Sequence, residues 1–253
     1  MIINVARKEL KSVFASPMGW VILALLQFWL GLKFYSGINN YFQVMSGIIR
    51  PAERMGVTSF IGQSVFGDAS FFMLVAVPLL SMRLISEERK SNTLPFLMTA
   101  PMSLTQIVIG KFLGLVAFLS ILIGFVLIML LTLGLWADID YGYLVSNTLG
   151  LWLLVASFCS LGLYFSSLTA QPVVAAIITF IALFGLMIFD RFFTGNEGSI
   201  MNYLSMMQHF QPFARGLIDT ADIAYFLLFI IAFLTLTIRR RSEERRVGKE
   251  CLR

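Results

Sequence analysis

The sequence predicts an all-α, polytopic membrane protein with six transmembrane helices. Of its 253 residues, 58% are hydrophobic and only 13% charged, about half the charged share of a soluble domain. Mean hydropathy is +0.84. The apolar residues gather into stretches of roughly 20, the length a helix needs to cross about 30 Å of hydrocarbon. Lipid offers the backbone no hydrogen-bond partners, so only helices or closed barrels can span it, and the alternating pattern of a membrane β-barrel is absent.

Residues 1–17 read as an interfacial amphipathic helix. Ile2, Ala6, Leu10, Val13 and Phe14 share one face, while Arg7, Lys8, Glu9 and Lys11 fall mostly on the other, as suits a helix lying among headgroups. Ser16-Pro17 ends it, because the residue before proline is pushed out of helical geometry. The first span follows at about 18–35. It has no small-x-small cleavage pattern and reads as an uncleaved span. Residues 36–65 are mixed and read as an outer loop with short helical pieces. The second span, about 66–85, carries a kinking Pro78. A third, about 104–136, is long for the bilayer and must tilt or begin outside it, with Lys111 snorkelling to the interface. Asp138-Ile139-Asp140 marks a short loop. The fourth span, about 143–168, carries Ala156, Ser160, Gly162 and Ser166 at helix-packing spacing. Gln171-Pro172 turns the chain into the fifth, about 173–193. A second outer polar loop, 194–220, leads to the sixth, about 222–238.

Residues 1–240 form a single membrane domain on this reading. Residues 241–253 resemble the read-through translation of a sequencing adapter and are expected not to be native; removing them takes out five basic and three acidic side chains and lowers the net charge from +5 to +3. Positive charge sets topology here and does not point to nucleic acid. Arg7, Lys8, Lys11, Arg83, Arg89, Lys90, Lys111, Arg239 and Arg240 fall on one side. Arg50, Arg54, Arg191 and Arg215 fall on the other, with Lys33 at the boundary. Both termini are therefore expected in the cytoplasm. Cys159 and Cys251 make no disulfide framework.

Catalytic chemistry finds little support. Gly110-Lys111 lacks the upstream glycine of a phosphate loop and is followed by Phe112. The single histidine, His209, has no sequence-adjacent cysteine or carboxylate cluster for a metal. No nucleophile elbow is present. No cofactor and no metal site are expected. Asp68 and Asp190-Arg191 are placed at outer span ends, and no carboxylate lies mid-span where an ion relay would want one.

The most informative stretch joins the second and third spans: Glu87-Glu88-Arg89-Lys90-Ser91-Asn92-Thr93-Leu94-Pro95-Phe96-Leu97-Met98. Its charge must leave hydrocarbon, yet it keeps large apolar side chains. Asn92 or Thr93 can cap a short helix that places Leu94, Leu97 and Met98 on one face, with Glu87, Glu88, Arg89 and Lys90 as a polar rim. From the residues alone, that face fits either a groove on a soluble partner or the bilayer surface.

The chain resembles the membrane subunit of type-2 ABC transporters, particularly the gliding-motility and multicopper-enzyme-maturation permeases. Arg7-Lys8-Glu9-Leu10 with Phe14, Ser16-Pro17 and Gly19 resembles the family's amphipathic N-terminal helix. Glu87-Glu88-Arg89, Thr93, Leu97, Pro101 and Gly110-Lys111-Phe112 resemble its coupling helix and third-span start. His209-Phe210, Phe213 and Arg215-Gly216-Leu217-Ile218-Asp219 resemble its outer segment before the last span. Asn92 stands where the family usually has glycine; asparagine also tolerates left-handed geometry. The resemblance implies ATP-binding cassette subunits docking on Glu87, Glu88, Arg89, Thr93, Leu94, Leu97 and Met98. It also implies a second permease subunit, a bacterial inner-membrane location, export driven by ATP, and no ATP hydrolysis by this chain itself. The rival expectations are a secondary transporter without an ATPase and a structural anchor for an envelope complex.

Overall fold

The computed structural model describes residues 1–46, 56–90, 103–193 and 205–250, excepting the side chains of 87–90, 189–193 and 244–250. The described residues are helical and contain no strand. In order, the helices are α1 (Ile2–Ala15), α2 (Pro17–Met45), α3 (Val57–Lys90), α4 (Leu104–Leu131), α5 (Tyr141–Leu168), α6 (Pro172–Phe193), α7 (Met206–Ala214) and α8 (Thr220–Glu250).

Among the described residues, five helical stretches are long and apolar enough to cross a membrane: Pro17–Met45, Val57–Ser86, Leu104–Leu135, Tyr141–Leu168 and Thr220–Glu243. The apolar part of α6, Pro172–Ile188, is shorter. Burial separates centre from rim. The most apolar window of α5 is 72% buried, against 22% for those of α2 and α8. α5 packs against α3, α4, α6, α7 and α8, so it forms the hub. The exposed apolar side chains of α2, among them Trp20, Leu25, Phe28 and Leu32, face outward as lipid-facing residues do.

Small side chains let the hub helices approach. A Cβ added to Gly162 would lie 2.4 Å from Ser81 Oγ on α3 and 3.4 Å from Thr179 on α6. Ser157, Ser160 and Thr179 are buried, and each hydroxyl donates to a carbonyl three or four residues back on its own helix. No polar hydrogen is thereby left facing hydrocarbon.

Several expectations change. Helix α2 continues to Met45 and α3 begins at Val57, so much of the anticipated 36–65 loop is helical. The two extensions hold each other: Gly37 admits Ile61, whose Cγ2 lies 3.3 Å from a Cβ built there, and the Tyr41 and Phe60 rings are 6.0 Å apart. Asp68 consequently lies within α3, with Lys33 Nζ 3.0 Å from its Oδ2. That contact pairs the charges without meeting hydrogen-bond geometry, for the same oxygen has no hydrogen-bond partner. Pro78 lies inside α3, with helix on either side of it. The long third span resolves into α4 and a short 3-10 turn, Thr132–Leu135.

The 194–220 stretch contains a helix, α7, that sequence reading treated as loop. Ser205 caps it by accepting from the Gln208 amide, and Met206, Phe210 and Phe213 are buried. Gly216 ends it at φ 85°, with the Leu217 amide donating to Pro212 O over 3.0 Å, a left-handed glycine cap. Ser146 of α5 donates to both Phe213 O (3.2 Å) and Leu217 O (3.0 Å), which ties the turn to the hub. Asp140 caps α5 through the Tyr143 amide, 3.1 Å away.

Candidate functional site

Of the residues singled out by sequence, Arg7, Lys8, Glu9 and Leu10 lie on α1, which converges with the start of α4 and the end of α3. Helix α1 packs on α4 because α4 presents a glycine groove at spacing four, Gly110 and Gly114. A Cβ on Gly110 would lie 2.7 Å from Val5 Cβ, and one on Gly114 would lie 2.7 Å from Glu9 Cβ and 2.9 Å from Ala6 O. Only glycine permits backbones this close. Leu10, Val13 and Phe14 pack against the core, and the Phe14 ring meets Phe118 edge-on at 5.1 Å.

The corner into α2 is equally tight. Trp20 Nε1 donates to Phe14 O over 2.8 Å. A Cβ on Gly19 would sit 2.5 Å from Val13 O. Arg7 and Lys8 point to solvent, as the amphipathic reading expects, while Glu9 turns toward α4.

There Glu9 meets Lys111. Lys111 Nζ donates to Glu9 Oε1 at 2.6 Å, with side-chain exposures of 4% and 15%. This corrects the snorkelling expectation: α1 covers the lysine, so its charge is neutralised by a carboxylate in place of water. A buried ammonium needs such a partner. The interfacial helix is thus clamped onto α4 by a glycine groove and an ion pair.

Of the docking residues, Glu87, Glu88 and Arg89 lie on the last turn of α3, where the backbone alone is described. Thr93, Leu94, Leu97 and Met98 lie outside the described residues. Both stems of this segment are defined. At the α4 stem, Ser103 accepts from the Gln106 amide at 3.3 Å. At the α3 stem, Ser166 of α5 accepts from the amides of Ile85 and Ser86, each at 3.3 Å, and donates to Met82 O at 3.2 Å. Ser86 Oγ in turn donates to Met82 O. A hydroxyl from the hub therefore holds the last turns of α3 just before the polar island.

His209 takes a structural place between two helices. Folding brings Asp222, thirteen residues on, to 2.6 Å from its Nδ1, and stacks Tyr225 on the ring with centroids 4.0 Å apart. The pair joins α7 to α8. Among the described residues no group of three or more His, Cys, Asp or Glu side chains converges as metal ligands would.

The ion pair of Glu9 and Lys111 and the Ser166 clasp join residues far apart in sequence, so periodicity within one helix could not reveal them. The one available signal was the GxxxG spacing of Gly110 and Gly114 beside a lysine. No curated protein matches the chain. The family model described as ABC-2 family transporter protein matches residues 3–244, a span that runs from α1 into α8 and includes the polar island. With five helices able to cross a membrane, the chain is a multi-pass membrane protein, and it belongs to the ABC-2 family of ABC transporter permeases.

Proposed function

We propose that this chain is the permease subunit of an ATP-driven exporter of the gliding-motility or multicopper-enzyme-maturation kind, working with separate ATP-binding subunits. The observation that carries this reading is the family match over residues 3–244, taken with an apolar helix-forming segment between two clamped stems. Glu87, Glu88, Arg89, Thr93, Leu94, Leu97 and Met98 form the docking knob. Leu94, Leu97 and Met98 enter a groove on the ATPase, and the charged residues form its rim.

ATP-driven closure of the partner subunits presses on this knob. The α3 stem passes the displacement to α5 through Ser166, and the α4 stem passes it to α1 through the glycine groove and the Glu9–Lys111 pair. Coupling of this kind needs stems that do not yield, and the contacts at both stems supply that stiffness. ATP is hydrolysed by the partner and not by this chain. The distribution of basic side chains supports a cytoplasmic location for both termini and the knob, at a bacterial inner membrane. On this reading α6 makes the sixth crossing, and a second permease subunit, identical or paralogous, completes the pathway.

Co-purification with a co-expressed ATP-binding subunit in mild detergent tests the docking. Wild type retains the ATPase, and Leu97→Asp loses it by about tenfold or more, since a carboxylate would have to be desolvated in an apolar groove. Wild type retaining no ATPase, or the variant retaining it in full, would overturn the reading.

A further inference from the structure

A cavity of about 320 Å³ opens between α1, the start of α2, the last turns of α3 and the start of α4. That volume lies near the lower end of the small-molecule range, about 300–1,000 Å³. Three basic side chains line it, Lys8, Arg83 and Lys111, against one acid, Glu9. Glu9 is engaged with Lys111. Lys8 and Arg83 are exposed, and neither joins an ion pair with a described residue. Among the described lining residues, basic side chains therefore outnumber acidic ones. Its remaining wall is apolar, with Val13 and Met18 on one side and Leu79, Leu80 and Leu84 on the other.

We infer that this cavity binds the anionic headgroup of a membrane phospholipid, with Lys8 and Arg83 on the phosphate and the apolar wall along the first acyl carbons. Three features favour a lipid over a soluble anion. The cavity lies where α2 begins its apolar run. Trp20, an interfacial residue type, is exposed and follows Gly19 of the lining in sequence. One wall of a charged cavity is greasy, which suits an amphiphile. Basic pockets between transmembrane helices on the cytoplasmic face are places where anionic headgroups bind. The inference extends beyond ATPase docking and holds with or without it. A lipid seated here would brace α1 against α3, which no described ion pair does.

The test is lipid retention by the full chain in detergent, read by native mass spectrometry with added phosphatidylglycerol or phosphatidylcholine. Wild type is expected to hold phosphatidylglycerol well above phosphatidylcholine. Each basic side chain near an anionic surface contributes roughly fivefold, so Lys8→Gln/Arg83→Gln should weaken phosphatidylglycerol about twenty-five-fold and Lys8→Gln alone about fivefold. Both side chains are exposed, so folding, checked by thermal melting, should be unaffected. Lys11→Gln/Arg239→Gln removes as much charge from exposed positions outside the cavity and should bind as wild type does. Equal losses in the two double variants would mean diffuse surface attraction and overturn the site. Glycerol 1-phosphate binding as tightly as phosphatidylglycerol would overturn the lipid assignment, as would equal retention of the two lipids.

Discussion

Lys111 is buried to 3% of its surface and lies 2.6 Å from Glu9. Breaking one side of such a pair costs about 3–5 kcal/mol, because the surviving charge loses its partner in a poorly solvated place. Glu9→Gln should therefore lower thermal stability by about 3 kcal/mol in detergent. The Glu9→Gln/Lys111→Met double variant should recover part of that loss, and with Lys111→Met as the second single variant it should give a coupling of at least about 1 kcal/mol in a double-mutant cycle. Additive effects would mean the pair is incidental. The sequence could place Lys111 near a span end and Glu9 on a polar helical face, but an amphipathic helix does not state which neighbour its single acid will meet. His209 and Asp222 repeat the lesson across the last turn of the molecule, where a 2.6 Å contact joins residues that no motif links.

At the scale of elements, α1 is held on α4 by the glycine groove and the ion pair, and the end of α3 by the Ser166 clasp. Gly114→Ala places a methyl 2.9 Å from Ala6 O, a backbone atom that can move only if α1 lifts. Hydrogen exchange over residues 2–15 should rise in this variant. It should stay unchanged in Gly124→Ala, where a Cβ meets nothing within 4 Å. Ser166→Ala removes a second acceptor for the amides of Ile85 and Ser86, which lie inside helix α3, and should cost about 0.5–1.5 kcal/mol, the net worth of an ordinary hydrogen bond. Faster exchange confined to residues 82–90 would report the loosened stem. Equal exchange there in variant and wild type would remove the clasp from the mechanism. The helices themselves were readable, since each long apolar run became one. Their outer ends were not. Composition near residues 36–65 is polar enough for a loop, and only the mutual packing of α2 on α3 through Gly37, Ile61, Tyr41 and Phe60 keeps them helical into water. α7 was missed for a related reason: Met206, Phe210 and Phe213 make a buried face, but on so short a helix, interrupted by Pro212, the period hardly shows.

Across the whole molecule, the order of apolar runs and polar connections gave the bundle, and the hub role of α5 followed from its small and polar residues. The island between α3 and α4 remains the reason to connect this bundle with an engine outside it. Its stems are held by the Ser166 clasp and the Ser103 cap, α1 packs on its α4 stem, and its apolar residues suit either a partner's groove or the bilayer surface. A photo-crosslinking side chain placed at Leu97 in intact cells tests this most directly. Covalent capture of an ATP-binding subunit is the predicted result, weakened by a second substitution at Leu94. Adducts formed with lipid alone, or with proteins on the outer face of the membrane, would contradict it.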